Sequence, residues 1–230
     1  MSVIAVIPAA GIGKRMCADV AKQYLQIGGE PILAHTLRAF DRCAAIDEII
    51  VVVPETDLDF CLEEIVEKYE IAKVSKAVAG GERRQDSVYN GLMAIEDGCE
   101  IVLVHDGARP FVTEQMIVES IEKARKNGAA CTAVLVKDTI KSVDQDGLIS
   151  ETLPRETLYA AQTPQTFSFA LLLAAHEQAL LTGADVTDDS SMVEALGRPV
   201  AIVQGAYENI KITTPSDLAV AEQILVKRNS

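Results

Sequence analysis

Val3-Ile4-Ala5-Val6-Ile7-Pro8-Ala9-Ala10-Gly11-Ile12-Gly13-Lys14-Arg15 opens with an unbroken apolar run that ends at a proline and passes into a glycine-containing turn bearing two adjacent cations. A short run rich in β-branched residues, without polar alternation, is the pattern of a strand covered on both faces. Similar runs recur at 48–53, 73–78, 100–105 and 130–136. Between them, 32–42, 58–69, 85–95 and 114–127 carry apolar residues at the three- and four-residue spacing of helices. Alternation of this kind builds right-handed crossovers, so the expected fold is α/β, a Rossmann-like, mostly parallel twisted sheet with helices on both faces.

Past residue 136 the rhythm changes. Thr, Lys, Val, Leu and Ile alternate from Lys137 to Arg155 around the turn Asp144-Gln145-Asp146-Gly147, which reads as a β-hairpin leaving the main sheet. Helical periodicity resumes at 168–181 and 188–196, a strand follows at 200–203, and a last helix is expected from Pro215, a residue suited to a first turn. The expected organisation is therefore one domain over 1–230 with an arm at about 137–155.

Composition narrows the functional classes. With 34 acidic against 21 basic residues the net charge is −13, so no overall field draws the chain to nucleic acid or anionic lipid. Aromatics make up only 4% and tryptophan is absent, which argues against a stacking platform for single strands. No apolar run approaches the ~18 residues of a membrane span. The five cysteines are scattered and odd in number, as expected of reduced thiols in a cytoplasmic protein.

The turn after the first strand is where a doubly wound sheet presents its ligand crevice. Met16 stands where a dinucleotide fingerprint needs its third glycine, and G-x-x-x-x-G-K-[ST] occurs nowhere, which disfavours hydride transfer and ordinary NTPase chemistry. Gly11 and Gly13 leave backbone N–H groups free to approach phosphates, and Lys14, Arg15 and Lys22 supply positive charge to an acidic chain. Taken alone, the same residues also describe a tight strand-to-helix turn with solvated cations.

His105-Asp106-Gly107-Ala108-Arg109-Pro110 ends the fourth strand in the same crevice. Asp106 can hold a hard cation or a hydroxyl there and Arg109 can fork onto a phosphate, while His105 is expected to pack in the core. Gly80-Gly81 opens a helix whose start, with Ser87, could read a base or ribose; equally, the glycines supply only a turn, with Arg83 and Arg84 solvated. Thr187 reads as an N-cap, with Asp188 and Asp189 complementing the helix dipole rather than holding a metal. Lys211, expected on a strand among apolar neighbours, would be costly without an anion beside it.

Together, Pro8 to Arg15 with Lys22-Gln23-Tyr24, Gly80-Gly81 with Asp86-Ser87, His105 to Pro110, Asp138-Thr139, Thr163-Pro164-Gln165 and Asn209 to Thr213 resemble the methylerythritol phosphate cytidylyltransferases. The resemblance spans nearly the whole chain, with the motifs in the right order and spacing. Ribitol phosphate cytidylyltransferases share His-Asp and Arg-Pro but usually begin Leu-Ala-Gly-Gly, whereas Pro8-Ala9-Ala10-Gly11 stands here.

The resemblance implies transfer of CMP from CTP to 2-C-methyl-D-erythritol 4-phosphate with Mg²⁺. It implies Arg15 and Lys22 at the triphosphate and transition state, with Pro8, Ala9, Ala10, Gly11 and Gly13 forming the loop around it. Gly81, Glu82 and Ser87 would contact the nucleoside, and Lys211 and Asp106 would serve the reacting centre, Asp106 also as metal ligand. Arg109, Thr139, Arg155 and Thr163 would hold the sugar phosphate, some of them from the other subunit of a homodimer joined through the arm. Glu82 departs from the Asp often found in relatives. A competing expectation is a non-catalytic nucleotide sensor on the same fold, against which Lys22 beside Arg15 is more cation than base recognition requires.

Overall fold

The computed structural model describes residues 2–11 and 22–229. Seven strands form one sheet: β1 (Ser2–Pro8), β4 (Glu48–Val53), β5 (Val74–Ala79), β6 (Cys99–Val104), β7 (Ala129–Leu135), β10 (Tyr159–Ser168) and β11 (Ala201–Gln204). Their order is β11-β7-β10-β6-β1-β4-β5. β1 pairs in parallel with β4 and β6, β4 with β5, and β11 with β7, while β10 runs antiparallel between β6 and β7. Two short strands, β2 (Gln26–Ile27) and β3 (Glu30–Pro31), form a separate ladder.

Side chains of β1 divide between the two faces of the sheet as period-2 geometry requires. Val3, Ala5 and Ile7 pack with Leu37 and Phe40 of α1 (Ile32–Asp41) and with Ile117 and Ile121 of α4 (Glu114–Asn127). Val6 faces the other way, onto Val88 and Leu92 of α3 (Arg84–Met93), Leu172 of α5 (Phe169–Thr182) and Val193 of α6 (Asp189–Ala195). Helices thus cover both faces. A third apolar cluster lies beneath α7 (Pro215–Asn229), where Ile224 and Ala221 meet Ile27, Ile32, Phe111 and Ile212.

Local sequence explains the helix ends. Thr113 Oγ1 accepts from Met116 N at 3.3 Å at the start of α4, and Gly128 ends that helix at φ 86°. Asp217 Oδ2 accepts from Thr213 N and Thr214 N, both at 2.8 Å, and pins the entry to α7. The helix expected at 58–69 instead begins as α2 (Leu58–Phe60) and widens into a π-helical stretch (Cys61–Glu67).

The hairpin is present as β8 (Lys141–Val143) and β9 (Ile149–Thr152), and Asp144 Oδ1 closes its turn by accepting from Asp146 N and Leu148 N. Val143, Leu148 and Ile149 on this arm are each more than half exposed. One strand escaped the sequence reading and two expectations need correction. β10 was not legible, because a run containing Gln162, Thr163, Pro164 and Gln165 lacks the apolar pattern of an interior strand. Asp188, rather than Thr187, caps α6, its carboxylate accepting from Ser191 N at 3.1 Å. Lys211 lies in an irregular segment before α7 rather than on a strand.

Candidate active site

Three loops leave the carboxyl ends of β1, β5 and β6 and meet in one cleft of about 420 Å³. From β1 the chain continues to β4 on one side, and β6 lies on the other, so the cleft stands at the switch point of the sheet. Backbone bonds fix the loops against one another. Ala9 N donates to Val52 O at 2.7 Å, Gly80 N to Val53 O at 2.8 Å, and Gly107 N to Pro8 O at 3.1 Å. A Cβ on Gly80 would collide with the Ala10 side chain, so the loops after β1 and β5 approach closely only because that position is glycine.

Pro8, Ala9, Ala10 and Gly11 line one wall, Gly81, Glu82, Arg84 and Ser87 another, and Asp106 and Lys211 the floor. Ser87 is buried; its hydroxyl accepts from Gly81 N at 3.1 Å and donates to Arg83 O, which holds the glycine turn on the helix start. Gln23 also lines the cleft and is buried. Gly13 and Arg15 lie outside the described residues, as does the side chain of Lys22.

Asp106 is the electrostatic centre. Its Oδ2 accepts from Arg109 Nε at 3.2 Å and lies 3.0 Å from Lys211 Nζ, while Oδ1 accepts from Arg84 Nε at 3.3 Å. Its backbone N donates to Thr163 Oγ1 at 3.1 Å. Burial by itself would raise the carboxyl pKa, but Arg84, Lys211 and Arg109 outweigh it and hold the group well below the usual carboxylate range. Asp106 is therefore an anion throughout the physiological range.

Asn209 completes the support. It is fully buried, its Nδ2 donates to Thr163 O at 2.9 Å, and its carbonyl accepts from Arg109 Nη1 at 2.9 Å. Ile212 N donates to Ala108 O at 2.9 Å, which sets Lys211 beside Asp106. His105 packs in the core as expected, against Phe40, and its Nε2 donates to Arg109 O at 3.0 Å. Complete burial lowers its pKa to about 4, so it is neutral at pH 7.

Of the residues expected in a site, Asp106, Arg109, Thr163 and Lys211 converge with the walls of the cleft. Thr139 and Arg155 do not; they are exposed at the base of the arm, where Arg155 Nη1 donates to Lys137 O. Arg84 is the residue that sequence reasoning missed. The sequence offers it only as a solvated cation beside Arg83 in one of two readings of the glycine turn, yet it lies between Asp106 and Asp189, 2.8 Å from the latter. Asp189 stands in the first turn of α6, where a carboxylate complements the helix dipole as expected, but it has no exposed surface. Among the described residues no group of three or more His, Cys, Asp or Glu is arranged to hold a metal, and no helix is long and apolar enough to cross a membrane.

Fold and site define an α/β protein with a cation-lined cleft, suited to a phosphorylated ligand, at the switch point of a mostly parallel sheet. The family model IspD, 2-C-methyl-D-erythritol 4-phosphate cytidylyltransferase, matches residues 3–227, and the chain belongs to this family. It is 50% identical over 232 residues to the 2-C-methyl-D-erythritol 4-phosphate cytidylyltransferase of Geotalea uraniireducens, covering 100% of this chain and 99% of that protein. Against the enzyme of the same name from Clostridium botulinum it is 49% identical, with 96% of each chain covered. Among solved structures, 4-diphosphocytidyl-2C-methyl-D-erythritol synthase from Anaerococcus prevotii superposes with a TM-score of 0.87 at 39% identity, covering 97% of this chain and 96% of that one. The cytidylyltransferase of Thermus thermophilus gives 0.80 at 36% identity, covering 98% and 99%.

Proposed function

We propose that this cleft transfers CMP from CTP to 2-C-methyl-D-erythritol 4-phosphate, yielding 4-diphosphocytidyl-2-C-methyl-D-erythritol and pyrophosphate on the way to isoprenoid precursors. An oxygen of the acceptor phosphate attacks the α-phosphorus, the bond to the bridging oxygen breaks, and pyrophosphate leaves. No protein nucleophile takes part. Two polyanions must approach in line, so the barrier contains charge repulsion that positioned cations offset. The observation that carries the reading is the cluster of Arg84, Arg109 and Lys211 around one carboxylate, a local excess of cations in an otherwise acidic chain.

In this reading the backbone of Pro8, Ala9, Ala10, Gly11 and Gly13 surrounds the triphosphate, and Arg15 and Lys22 answer the charge that develops at the transition state. Gly81, Glu82 and Ser87 receive the nucleoside. Lys211 and Asp106 serve the reacting centre, and Arg109 and Thr163 hold the sugar phosphate. Thr139 and Arg155 reach the site of the other subunit in a homodimer joined through the arm, a role supported by their exposure away from their own cleft and by the bare apolar side chains of the hairpin. The whole chain, 1–230, acts as one cytoplasmic cytidylyltransferase domain.

Asp106 is the carboxylate on the cleft floor that could hold Mg²⁺. This ion takes one or two carboxylates plus substrate phosphates rather than a cage of protein ligands, and Asp106 is a lasting anion on the cleft floor. When bound, the ion withdraws charge from the phosphate oxygens. Asp106 would hold it, and the triphosphate would complete its coordination.

Pyrophosphate release from CTP, measured with and without the methylerythritol phosphate, tests the reading. Release that requires the acceptor is expected. CTP binding without release under any acceptor would make the protein a sensor and overturn it.

A further inference from the structure

Asp189 begins α6 with no exposed surface, an expensive place for a carboxylate. Its Oδ2 lies 2.8 Å from Arg84 Nη1, and its Oδ1 lies 3.5 Å from Nε2 of the buried His176. Burial by itself would raise the Asp189 pKa, but Arg84 and then His176 outweigh it and keep the carboxyl below its ordinary value. The same guanidinium uses its Nε on Asp106 Oδ1 in the cleft. One arginine therefore spans a carboxylate sealed in the protein and a carboxylate that meets substrate.

Stability alone is a poor account of this arrangement, because buried ion pairs are often replaceable by apolar residues without loss. The start of α6 is also secured without the Asp189 carboxylate. Gln165 Oε1 accepts from Asp189 N and Ser190 N at 3.1 and 3.0 Å, and Gln165 Nε2 donates to Asp188 Oδ2 at 2.7 Å. What the carboxylate adds is an ion pair that holds one end of the Arg84 guanidinium, with Nη1 2.8 Å from Asp189 Oδ2. Lysine, a point charge on a flexible stem, cannot serve both partners with defined geometry.

We propose that Asp189 is a positioning residue for cytidylyl transfer, acting through Arg84 to fix the orientation of the Asp106 carboxylate in the cleft. This rests on the transfer reading above. Without the anchor, Arg84 is free to turn toward Asp106 or the bound phosphates, and Asp106 loses the restraint on Oδ1 that leaves Oδ2 to Lys211 and Arg109.

The test combines the NMR signals of arginine Nε–Hε groups with steady-state kinetics on Asp189→Asn, Arg84→Lys and the double variant. In folded Asp189→Asn the Arg84 signal should lose its protection from exchange. Its kcat should fall about 10–100-fold, the range for outer-shell partners of a reacting centre. CTP affinity should change by less than about threefold. In the Arg84→Lys background, Asp189→Asn should change kcat by less than about twofold, since the path is already cut. An unchanged Arg84 signal with wild-type kcat, or the same loss in both backgrounds, overturns the proposal. Should Asp189→Asn fail to fold, Arg84→Lys decides: wild-type kcat there overturns it, and a loss of about tenfold or more with an intact fold supports it. An altered Arg84 signal in a protein whose wild type shows no turnover would discard the transfer reading while leaving the anchoring of Arg84 in place.

Discussion

Lys211 Nζ lies 3.0 Å from Asp106 Oδ2, so the segment leading into the last helix supplies a cation to the end of a central strand. The contact is set by backbone rather than by the long side chain alone. Ile212 N bonds Ala108 O, Asn209 holds the strand beside β6 through Thr163 O, and Arg109 returns to the Asn209 carbonyl. Asp106 thus receives three cations from three separate parts of the chain.

Replacing Asp106 by asparagine leaves Arg84, Arg109 and Lys211 facing one another without their shared anion. Turnover should fall on the order of 10²–10³, the scale of losing one preorganised electrostatic contact. The Mg²⁺ concentration for half-maximal rate should rise as well. Metal titration of the steady-state rate checks both, and unchanged turnover and metal dependence would reduce Asp106 to a structural role.

Helix α6 offers a test of capping. Asp188 accepts from Ser191 N and from Gln165 Nε2, so Asp188→Ala should cost about 1 kcal/mol or somewhat more, as loss of an N-cap does. Thr187→Ala should leave the urea unfolding midpoint nearly unchanged. The reverse ranking would restore Thr187 as the cap.

The parallel core was legible in the sequence because β1, β4 and β6 are buried on both faces and can be built only from apolar residues. The glycine turn and the Asp106 cluster could be placed on strand ends for the same reason. β10 escaped because its interior residues are polar and are paid for by partners remote in sequence, Thr166 Oγ1 on Ser120 Oγ and Gln165 on the start of α6. The pairing of Arg84 with Asp189 escaped for a related reason. A charge beside other charges reads as solvated until folding brings its counter-ion from elsewhere in the chain.

His105 makes the fold sensitive to mild acid. Its folded pKa of about 4 lies below the ordinary value of 6.5, so the unfolded chain binds the proton first. Its contribution to stability is complete above pH 6.5 and is lost as the pH falls from there toward 4. Between pH 7 and 5.5, before most carboxylates titrate, the loss from this residue should be about 1 kcal/mol. Urea unfolding of wild type and His105→Gln across that window checks it; an equal pH slope in both would refute the assignment.

Assembly through the arm predicts a homodimer in which each site draws on both chains. Lys22→Ala and Arg155→Ala should each be nearly inactive, yet mixing the two should restore activity, because one hybrid site then keeps both residues. Isologous exchange of arms would also cover the edges and apolar side chains that the hairpin leaves exposed. Sedimentation showing a fully active monomer would contradict the dimer, and inactive mixed dimers would contradict the shared site.

The central claim is that this cleft moves a cytidylyl group onto one particular polyol phosphate. CTP labelled in its α-phosphate, incubated with 2-C-methyl-D-erythritol 4-phosphate or with ribitol 5-phosphate, measures that directly when the labelled products are separated. The account predicts that label passes into the methylerythritol diphosphocytidyl ester far faster than into the ribitol ester, and that Asp106→Asn nearly abolishes the transfer. Preferential labelling of the ribitol ester, or label that remains in CTP with either acceptor, would contradict it.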